Sequence, residues 1–372
     1  MNKIIKNLVL FACPVCALLC SCSNQKESDS GPTVIWAPLH NHERTDHLNF
    51  SSLFGSIDTI QLQQAGEESL LGVINDIKCK DDTLFLCSNQ AIYLFKTNGE
   101  FINSINRRGR GPGEYVSIAQ FDIDPKEREI VIMEQNGLRK FYVYSFEGKF
   151  LRQIEVSDFV DDFVLLSNGD YLCYSPRYLK PSKRGLWQLD SEGNFKKQLV
   201  ELDDNFKYYV NLSRYMVHLN ENQIGLMGSE EYDYFYQITE DTVITSFKMK
   251  TDTKIPEKYK RTKDFPESDK AYYKIEYLET DGLLYFELMN GNDDLVQVFY
   301  DKNSRKTWRC YEEDINSIKS PEEIIPWMCS SYKGKIYYYY DAATILNNDY
   351  YKLLFPNVTQ NSNPVLLVCN PK

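Results

Sequence analysis

The stretch that decides the fold runs from Asn75 to Ile105 and reads NDIKCKDDTLFLCSNQAIYLFKTNGEFINSI. It holds four apolar runs of strand length, which are separated by the turn pairs Asp81-Asp82, Ser88-Asn89 and Asn98-Gly99. Asn-Gly between apolar runs is a strong hairpin signal because both turn positions tolerate positive φ. The stretch therefore predicts one four-stranded antiparallel meander.

Similar units recur along the rest of the chain. Their first turns fall near Asp82, Lys126, Asn168, Glu221, Asp281 and Lys333. The separations between these turns run from 42 to 60 residues, close to the period of β-propeller blades. Six units predict an all-β fold, a six-bladed β-propeller built of four-stranded antiparallel blades.

A closed ring of meanders avoids the poor burial and the exposed edges of a single meander. One meander buries its apolar faces poorly and leaves edges that invite aggregation. Stacking six meanders around an axis buries both faces and leaves only short, protected edges. The strand-like run Ile57–Gln64 is predicted to complete the last blade and lock the ring. A pair of Greek-key sandwiches is the alternative, but it predicts no regular period.

The composition narrows the class of protein. The chain is 372 residues long, 42% hydrophobic and 26% charged, which is typical of a folded globular protein. Its 27 Tyr and 20 Phe favour strands, where flat side chains pack on a pleated face. The formal net charge of −11 argues against nucleic acid as a partner, because phosphates select basic surfaces.

The N-terminus has the layout of a bacterial secretory signal. Lys3 and Lys6 precede an apolar run, Leu8–Leu19, which ends just before Ser21 and Cys22. A basic start, a short apolar core and small residues at a cleavage site define such signals. Leu at −3 and Ser at −1 before a Cys fit a lipobox, so we expect lipidation of Cys22 and cleavage in front of it. The apolar run is shorter than the roughly 20 residues that a membrane span requires.

These patterns divide the chain and predict where it is located. The predicted parts are a signal peptide (residues 1–21), a lipidated N-terminus and tether (22–55) and the propeller (56–372). A multiply acylated Cys anchors a protein while its folded part stays in water. We therefore expect a lipoprotein of the outer membrane, facing the periplasm or the cell surface.

One motif resembles a known family. Residues 106–134 read NRRGRGPGEYVSIAQFDIDPKEREIVIME. The segment GRGPGEY (Gly109–Tyr115), followed by a strand, Ile-Asp, a turn and a second strand, resembles the six-bladed propeller lipoproteins of Bacteroidetes, which in turn resemble NHL-type repeats. Glu134 departs from the Asp that is usual in NHL-like repeats, and the Gly-rich loop occurs once. The resemblance implies the fold and the compartment, and it carries no common activity.

The Gly-rich loop also supplies candidate ligand-binding residues: Arg107, Arg108, Arg110 and Tyr115. Glycines let backbone N–H groups approach an anion, and arginines add charge-assisted donors. A nucleotide loop would be followed by a helix, whereas a strand follows here. The alternative is a structural crossover between blades, with glycines at a tight bend. Crossovers of this kind ring one mouth of the channel, where a ligand could contact them.

Other clusters offer weaker candidates. The long crossover Thr251–Lys270 is rich in lysine and would lie on the same rim as the arginines. His40, His42 and His47 alternate as metal ligands can on a strand, but no acidic or cysteine set completes a shell. His218 lies in an apolar strand and is interpreted as a packed core residue.

The cysteines of the folded part are interpreted mainly as buried thiols. Six remain after the signal and the lipid site are set aside: Cys79, Cys87, Cys173, Cys310, Cys329 and Cys369. They are widely spaced and lie in strand-like runs, where a free Cys behaves as a small hydrophobic residue. Cys79 and Cys87, on adjacent strands, are the best candidate pair for a disulfide bond. No pair has zinc-finger spacing.

The function predicted from these patterns is noncatalytic. We expect a binding or scaffold propeller that holds a protein or an acidic glycan at the channel mouth, with no cofactor and no catalytic residue. The alternative is a metal-dependent propeller hydrolase or lyase. That enzyme would use channel acids, for which Asp76, Asp122, Asp162 and Glu276 are the candidates, although neither a G-x-S-x-G nor an H-E-x-x-H motif is present.

Overall fold

The computed structural model describes residues 31–37, 50–124, 126–134, 140–176, 183–202, 214–228, 233–251, 272–290, 295–311, 328–370 and 372. Within these ranges the fold is all-β and consists of six small sheets. Five of the sheets contain four antiparallel strands in sequence order, and one of these gains a fifth strand from the N-terminal segment. The sixth sheet has three strands in sequence order and takes its fourth from the N-terminal segment. The six-bladed β-propeller predicted from the repeat is therefore confirmed.

The first three blades follow the chain directly. Blade one contains β3 (Ile74–Lys80), β4 (Thr83–Ser88), β5 (Ala91–Lys96) and β6 (Phe101–Ile105). Blade two contains β7 (Ile118–Asp124), β8 (Glu129–Glu134), β9 (Lys140–Ser145) and β10 (Phe150–Glu155). Blade three contains β11 (Asp162–Leu165), β12 (Tyr171–Ser175), β13 (Gly185–Leu189) and β14 (Phe195–Glu201).

The last three blades include the N-terminal strands. Blade four contains β15 (Met216–His218), β16 (Ile224–Met227), β17 (Tyr234–Ile238), β18 (Val243–Lys250) and, at its outer edge, β1 (Thr33–Trp36). Blade five contains β19 (Tyr272–Glu279), β20 (Leu283–Asn290), β21 (Leu295–Asp301) and β22 (Lys306–Tyr311). Blade six contains β23 (Met328–Tyr332), β24 (Lys335–Tyr340), β25 (Val365–Asn370) and β2 (Ser56–Gln61).

Short helices lie in the connections between the strands. Two 3-10 helices flank β2, at Phe50–Leu53 and Glu67–Ser69. Two α-helices, α1 (Ala342–Leu346) and α2 (Asp349–Leu354), lie in the connection between β24 and β25. Asp341 caps α1 by accepting a hydrogen bond from the Thr344 backbone N–H, which satisfies one of the free donors at a helix start.

The ring is closed by strand β2, as predicted from the run Ile57–Gln64. Strand β2 pairs antiparallel with β25, from Ser56 opposite Asn370 to Gln61 opposite Val365. An early segment of the chain thus provides the outermost strand of the last blade. This pairing covers the edge of β25 that would otherwise be open.

Strand β1 lies in the range that the sequence analysis assigned to the tether. It pairs in parallel with β18, with Thr33 opposite Phe247 and Trp36 opposite Lys250. Ile35 is 1% exposed and joins the core of blades three to five. The folded part therefore begins near Pro32, because burying Ile35 against the blade stabilises the strand.

Aromatic side chains pack between neighbouring blades and explain their abundance in the sequence. Phe85 of blade one lies 4.7 Å from Phe146 of blade two, measured between ring centroids. Phe141 and Phe163 stack at 4.7 Å between blades two and three. Tilted aromatic pairs add stabilisation beyond the area they bury. The strand-rich aromatic composition thus fills the wedges between blades.

The candidate disulfide bond between Cys79 and Cys87 is not formed. Both are free thiols, as are Cys173, Cys310 and Cys369 among the described residues. The tight turn sets Cys79 opposite Leu84 and Cys87 opposite Asp76. Three residues along the ladder separate the two cysteines by about 10 Å, beyond the roughly 7 Å between Cα atoms that a disulfide bond can span.

Candidate functional site at the channel mouth

The first strand of each blade faces the central channel, and these strands carry buried charge. Asp76 and Lys78 alternate on β3, and Lys78 Nζ lies 3.3 Å from Asp76 Oδ2 and 3.6 Å from Asp122 Oδ1 on β7. All three side chains are less than a tenth exposed. Period-two alternation places residues i and i+2 on one face of a strand, so the Asp-x-Lys pattern delivers both charges to the channel.

Asp122 occupies the centre of this network. Its Oδ2 accepts hydrogen bonds from the Leu165 backbone N–H at 2.7 Å and lies 2.7 Å from Nε2 of His218. Burial by itself would raise the pKa of Asp122, but the charges of His218 and Lys78 and the hydrogen bonds from His218 and Leu165 outweigh it. The pKa of Asp122 is therefore held below its usual range, and the carboxylate is ionised.

Asp162 of blade three is held in a different way. It accepts hydrogen bonds from Gln120 Nε2 at 3.0 Å and from the backbone N–H groups of Tyr215 at 2.6 Å and Met216 at 2.7 Å. Burial raises the pKa of Asp162, and these neutral donors only partly offset it. The contrast with Asp122 follows from the partners, because Asp122 has Lys78 and His218 beside it and Asp162 is bonded mainly to dipoles.

Two further contacts tie the network to other blades. Arg214 Nη2 lies 2.7 Å from Asp76 Oδ1, and both side chains are 5% exposed. Ser330 on β23 donates to the same Asp76 oxygen at 2.6 Å. The channel core therefore joins blades one, two, three, four and six. It is filled by charged side chains that lie beside partners of opposite charge, and such pairing is the condition under which buried charge is tolerated.

Blade four and blade six meet across this core. The Lys333 backbone N–H donates to the His218 carbonyl at 2.7 Å. The rings of His218 and Tyr332 pack edge-to-face with centroids 5.1 Å apart. His218 is thus a buried residue, as predicted, but its Nε2 also lies 2.7 Å from the Asp122 carboxylate, a contact that the apolar pattern around it did not indicate.

A cavity of about 270 Å³ opens at the end of the channel where the first strands finish. It is lined by Lys80, Ile123, Asp124, Lys126, Leu165, Leu166, Ser167, His218, Glu221, Tyr332 and Lys333. These residues come from the ends of the first strands and from the first hairpin turns of five blades. The cavity therefore has an apolar and aromatic floor, with charged side chains around its mouth.

Some of the charged side chains at this mouth form ion pairs, and others form none with the described residues. Glu221 lies 2.7 Å from Lys333 Nζ and 3.6 Å from Lys80 Nζ, and the hydrogen bond from Lys333 chiefly lowers its pKa. Asp124 accepts from the backbone N–H groups of Lys126 and Glu127 within its own turn. Lys126 is exposed and forms no ion pair with any residue in the described ranges. The mouth therefore carries cationic groups in excess of its acids.

The Gly-rich loop precedes β7, whereas Ile123 and Asp124, which line the cavity, lie at the end of β7. The loop and the cavity are therefore at opposite ends of the channel. Arg107, Arg108 and Arg110 are exposed there. No ion pair to a described residue holds any of the three, so their ligand-binding role remains a prediction. They are not brought into the cavity.

Tyr115 has a structural position in the same loop. Its side chain is fully buried, and its hydroxyl donates to the carbonyls of Gln90 at 3.0 Å and Ile105 at 3.1 Å. Burial raises its pKa to about 12. A tyrosine held in this way joins blade one to the crossover, and its side chain is not available to a ligand at the surface.

The rest of the motif is explained by close packing. Glu114 Oε2 accepts from the Gly111 backbone N–H at 2.8 Å, and a Cβ on Gly109 would lie 1.8 Å from that oxygen. Gly113 has φ +72°, and its carbonyl accepts from the Tyr144 hydroxyl at 2.8 Å. The glycines thus serve a tight crossover, the structural alternative that the sequence left open.

Several predicted features lie outside the described residues. They are Cys22, the histidines His40, His42 and His47, Cys329's side chain, and nearly all of the basic crossover Thr251–Lys270. Of the channel acids, Asp76, Asp122 and Asp162 do converge. Within the described ranges, no group of three or more His, Cys, Asp or Glu side chains is arranged to hold a metal ion.

Sequence reasoning missed the basic half of the network. Lys78 and Arg214 are not among the residues that the sequence predicts for the channel, although both lie within ion-pair distance of Asp76. The available signal was the alternation Asp76-x-Lys78-x-Lys80 in the first strand of a unit, where a buried strand would normally show apolar residues. Arg214 gave no such signal, because it precedes its strand.

Comparison with solved structures supports the fold. The chain is similar to the crystal structure of a "putative exported protein" from Bacteroides fragilis, with 19% identity, a TM-score of 0.75 and coverage of 91% of this chain and 100% of the other. A Bacteroides caccae protein of unknown function matches with 11% identity over 64% of this chain and 82% of its own, at a TM-score of 0.38. The WD40 domain of Neurospora crassa Pan2 gives 11% identity, coverage of 80% and 75%, and a TM-score of 0.37.

Comparison at the level of sequence gives the family. No curated protein matches the chain significantly. No helix among the described residues is long and apolar enough to cross a bilayer. A family model described as a domain of unknown function, DUF4934, matches residues 35–370, which is nearly all of the folded part. The chain therefore belongs to the DUF4934 family.

Proposed function

We propose that this protein is an exported, lipid-anchored binding propeller that holds the end of an acidic glycan in the cavity at the channel mouth. The observation that carries the proposal is the cavity itself, with an apolar floor and an excess of lysine at its rim. Ligand sites are concave and mostly apolar, with a few placed polar groups. A binding role needs no catalytic group.

The volume of the cavity favours a single sugar unit over a large cofactor. About 270 Å³ lies below the roughly 300–1,000 Å³ of pockets that enclose drug-sized ligands. Such a space suits one terminal unit of a longer chain, with the remainder outside. A carboxylate on that unit would meet Lys80, Lys126 and Lys333, since charge-assisted hydrogen bonds to lysine are stronger than neutral ones.

The anchor rests on the lipobox pattern that ends at Cys22. The similar Bacteroides fragilis protein is also named as exported, which agrees with an extracytoplasmic location. We expect that wild-type protein incorporates a fatty-acid label in its bacterial host and that Cys22→Ala protein does not. Labelling of the Cys22→Ala protein at the wild-type level would contradict the anchor.

The binding test compares the two mouths of the channel on a column of immobilised uronate polysaccharide at low salt. We expect K80A/K126A protein to lose retention, whereas K96A/K149A protein, with the same change of charge at surface sites, keeps it. R108E/R110E protein tests the arginine loop. Retention that is lost in R108E/R110E but kept in K80A/K126A would place the ligand at the other mouth. A protein that co-purifies in place of glycan would favour a scaffold.

One observation favours a second function, a hydrolase or lyase. His218 lies in the cavity wall with Asp122 2.7 Å from its Nε2, and a carboxylate that orients a histidine is a recurring arrangement for general-base catalysis. If this function holds, uronate oligosaccharides should be shortened by wild-type protein and left intact by His218→Asn protein. Stoichiometric metal in the purified protein would support the metal-dependent form of this alternative.

A further inference from the structure

The outer edge of blade four carries a partly exposed face that combines aromatic and basic residues. It is formed by Val34 and Trp36 of β1, Lys248 and Lys250 of β18, and Tyr234 of β17. Val34 is 56% exposed and Trp36 is 48% exposed. We call this set the basic aromatic face.

The strand register places these five side chains together. Val34 is opposite Lys248 and Trp36 is opposite Lys250 in the parallel pair, and Tyr234 is opposite Lys248 in the antiparallel pair. Directly opposite residues point to the same face of a sheet. The intervening residues point the other way, and Ile35 is buried in the core.

The two lysines are not neutralised by acids in the described part of the chain. Lys250 Nζ lies 5.7 Å from the Trp36 ring centroid, and Lys248 Nζ lies 5.1 Å from that of Tyr234. No carboxylate of the described residues lies within ion-pair distance of either. Among the described residues of a protein with a net charge of −11, these two lysines thus have no acidic partner, and they lie beside the exposed Trp36 ring and the half-buried Tyr234 ring.

We propose that the basic aromatic face docks on the headgroup layer of an anionic phospholipid bilayer. Trp and Tyr are enriched where a protein meets the membrane interface, because their rings combine an apolar body with a polar end. Each Lys or Arg near an anionic surface adds attraction. A face of this composition suits lipid headgroups better than water.

The covalent geometry of the chain brings the bilayer within reach, and here the inference rests on the proposed anchor. Ten residues, Ser23–Pro32, separate Cys22 from β1. Ten residues can span at most about 35 Å. A short tether gives a high effective concentration, so even weak docking is populated.

The occupant is therefore lipid rather than a second protein. The strand that carries Val34 and Trp36 is the first element after the predicted acyl site, so the face nearest the anchor along the chain is also the aromatic and basic one. Docking would hold blade four toward the bilayer and fix the orientation of the channel mouth relative to the membrane.

The test uses the full mature protein, purified with its own anchor and reconstituted into vesicles of phosphatidylethanolamine and phosphatidylglycerol with brominated acyl chains. Brominated lipids quench tryptophan that approaches the acyl boundary. We expect quenching of wild-type fluorescence, and loss of that quenching in Trp36→Phe protein, in which the other three Trp remain as internal controls.

Charge variants separate docking from simple anchoring. We expect K248E/K250E protein to lose quenching, with about a fivefold drop in the docked-to-undocked ratio for each lysine. Quenching in the matched K96E/K149E protein should stay at the wild-type level. Added salt should weaken the wild-type signal, since exposed charges are screened.

Three results would overturn the proposal: no quenching in wild type, equal quenching in Trp36→Phe protein, or quenching that K248E/K250E leaves unchanged. Protection of Trp36 by soluble acidic polysaccharide, with no quenching by lipid, would make the face a glycan site instead. Mass spectrometry of Cys22 reports the anchor independently. If no acyl group is present, unanchored protein is sedimented with the same vesicles, and failure to co-sediment counts against the docking face alone.

Discussion

At the residue scale, the position that most constrains the Gly-rich motif is Gly113. Its φ of +72° is one that side-chain-bearing residues rarely adopt, and a Cβ there would lie 2.6 Å from the Phe150 ring. The motif reads like an anion-binding loop, yet this glycine is required by backbone geometry and close packing. A binding role and a structural role for such a loop predict different effects of single glycine substitutions, so mutation can distinguish the two roles.

We expect Gly113→Ala to destabilise the protein by about 2–3 kcal/mol, through the left-handed backbone and the clash with Phe150. Gly111→Ala is the matched control, because that position is exposed and meets only the end of the Glu114 side chain at 3.1 Å. Urea unfolding followed by circular dichroism measures both. Equal midpoints for the two variants would contradict this account of the motif.

Lys78 is the residue on which the channel charges depend most. It is buried between Asp76 and Asp122, so Lys78→Met leaves two buried carboxylates with fewer partners. We expect a loss of about 3–5 kcal/mol in the free energy of unfolding, the usual result of removing one member of a buried ion pair. The control Lys96→Met breaks an exposed pair with Glu100 and should cost about 0.5 kcal/mol or less.

At the scale of elements, the closure of the ring depends on more than the β2–β25 ladder. Asn363, which is 2% exposed, donates to the carbonyls of Gln63 at 3.0 Å and Ser69 at 2.8 Å. Its Oδ1 accepts from the Leu71 backbone N–H at 3.0 Å. One buried amide thus fastens the segment after β2 to the segment before β25.

Removing that amide should loosen the closing blade. We expect Asn363→Ala to lower the free energy of unfolding by about 2–4 kcal/mol, because three backbone groups lose their partner and one of them, the Ser69 carbonyl, is buried. Asn370→Ala removes exposed contacts to Ser56 and Asp58 and should have a smaller effect, about 1 kcal/mol or less. Limited proteolysis near residues 62–72 supplies a second measurement. Similar cleavage rates in both variants would show that Asn363 does not secure the closure.

At the scale of the whole molecule, the channel network links stability to pH. The pKa of Asp122 is lowered in the folded state, so its ionised form adds stability above the pKa of about 4 that an unfolded Asp has. That contribution is lost as the pH falls below about 4 and the native carboxylate becomes protonated. Asp162 has the opposite sign, since a raised pKa favours the folded state at low pH and disfavours it as the pH rises.

The pH dependence of Asp122 can be isolated with Asp122→Asn protein. We expect wild type to exceed this variant by about 2–4 kcal/mol in the free energy of unfolding near pH 7, and the difference to shrink steadily below about pH 4. Urea titrations between pH 2 and pH 7 provide the comparison. A difference that is independent of pH would mean that the ionised form of Asp122 is not what stabilises the channel.

The sequence by itself determined the blades, their number and the closing strand. Those features follow from local rules: alternating apolar residues form strands, Asn-Gly and Asp-Asp pairs turn them, and the spacing repeats. It also indicated that acids such as Asp76 and Asp122 face the channel, because strand alternation fixes the direction of a side chain. The family resemblance, carried by GRGPGEY, pointed to the same fold.

Only the tertiary structure decided which residues meet. Lys78 reaches Asp122 from blade one, Arg214 reaches Asp76 from the segment before β15, and His218 reaches Asp122 from blade four. The proximity of these pairs depends on how the ring closes rather than on spacing along the chain. The same reason placed the arginine loop and the cavity at opposite mouths, brought β1 from the predicted tether onto blade four, and set Cys79 and Cys87 out of register. Contacts between distant segments are fixed by packing, and no local pattern records them.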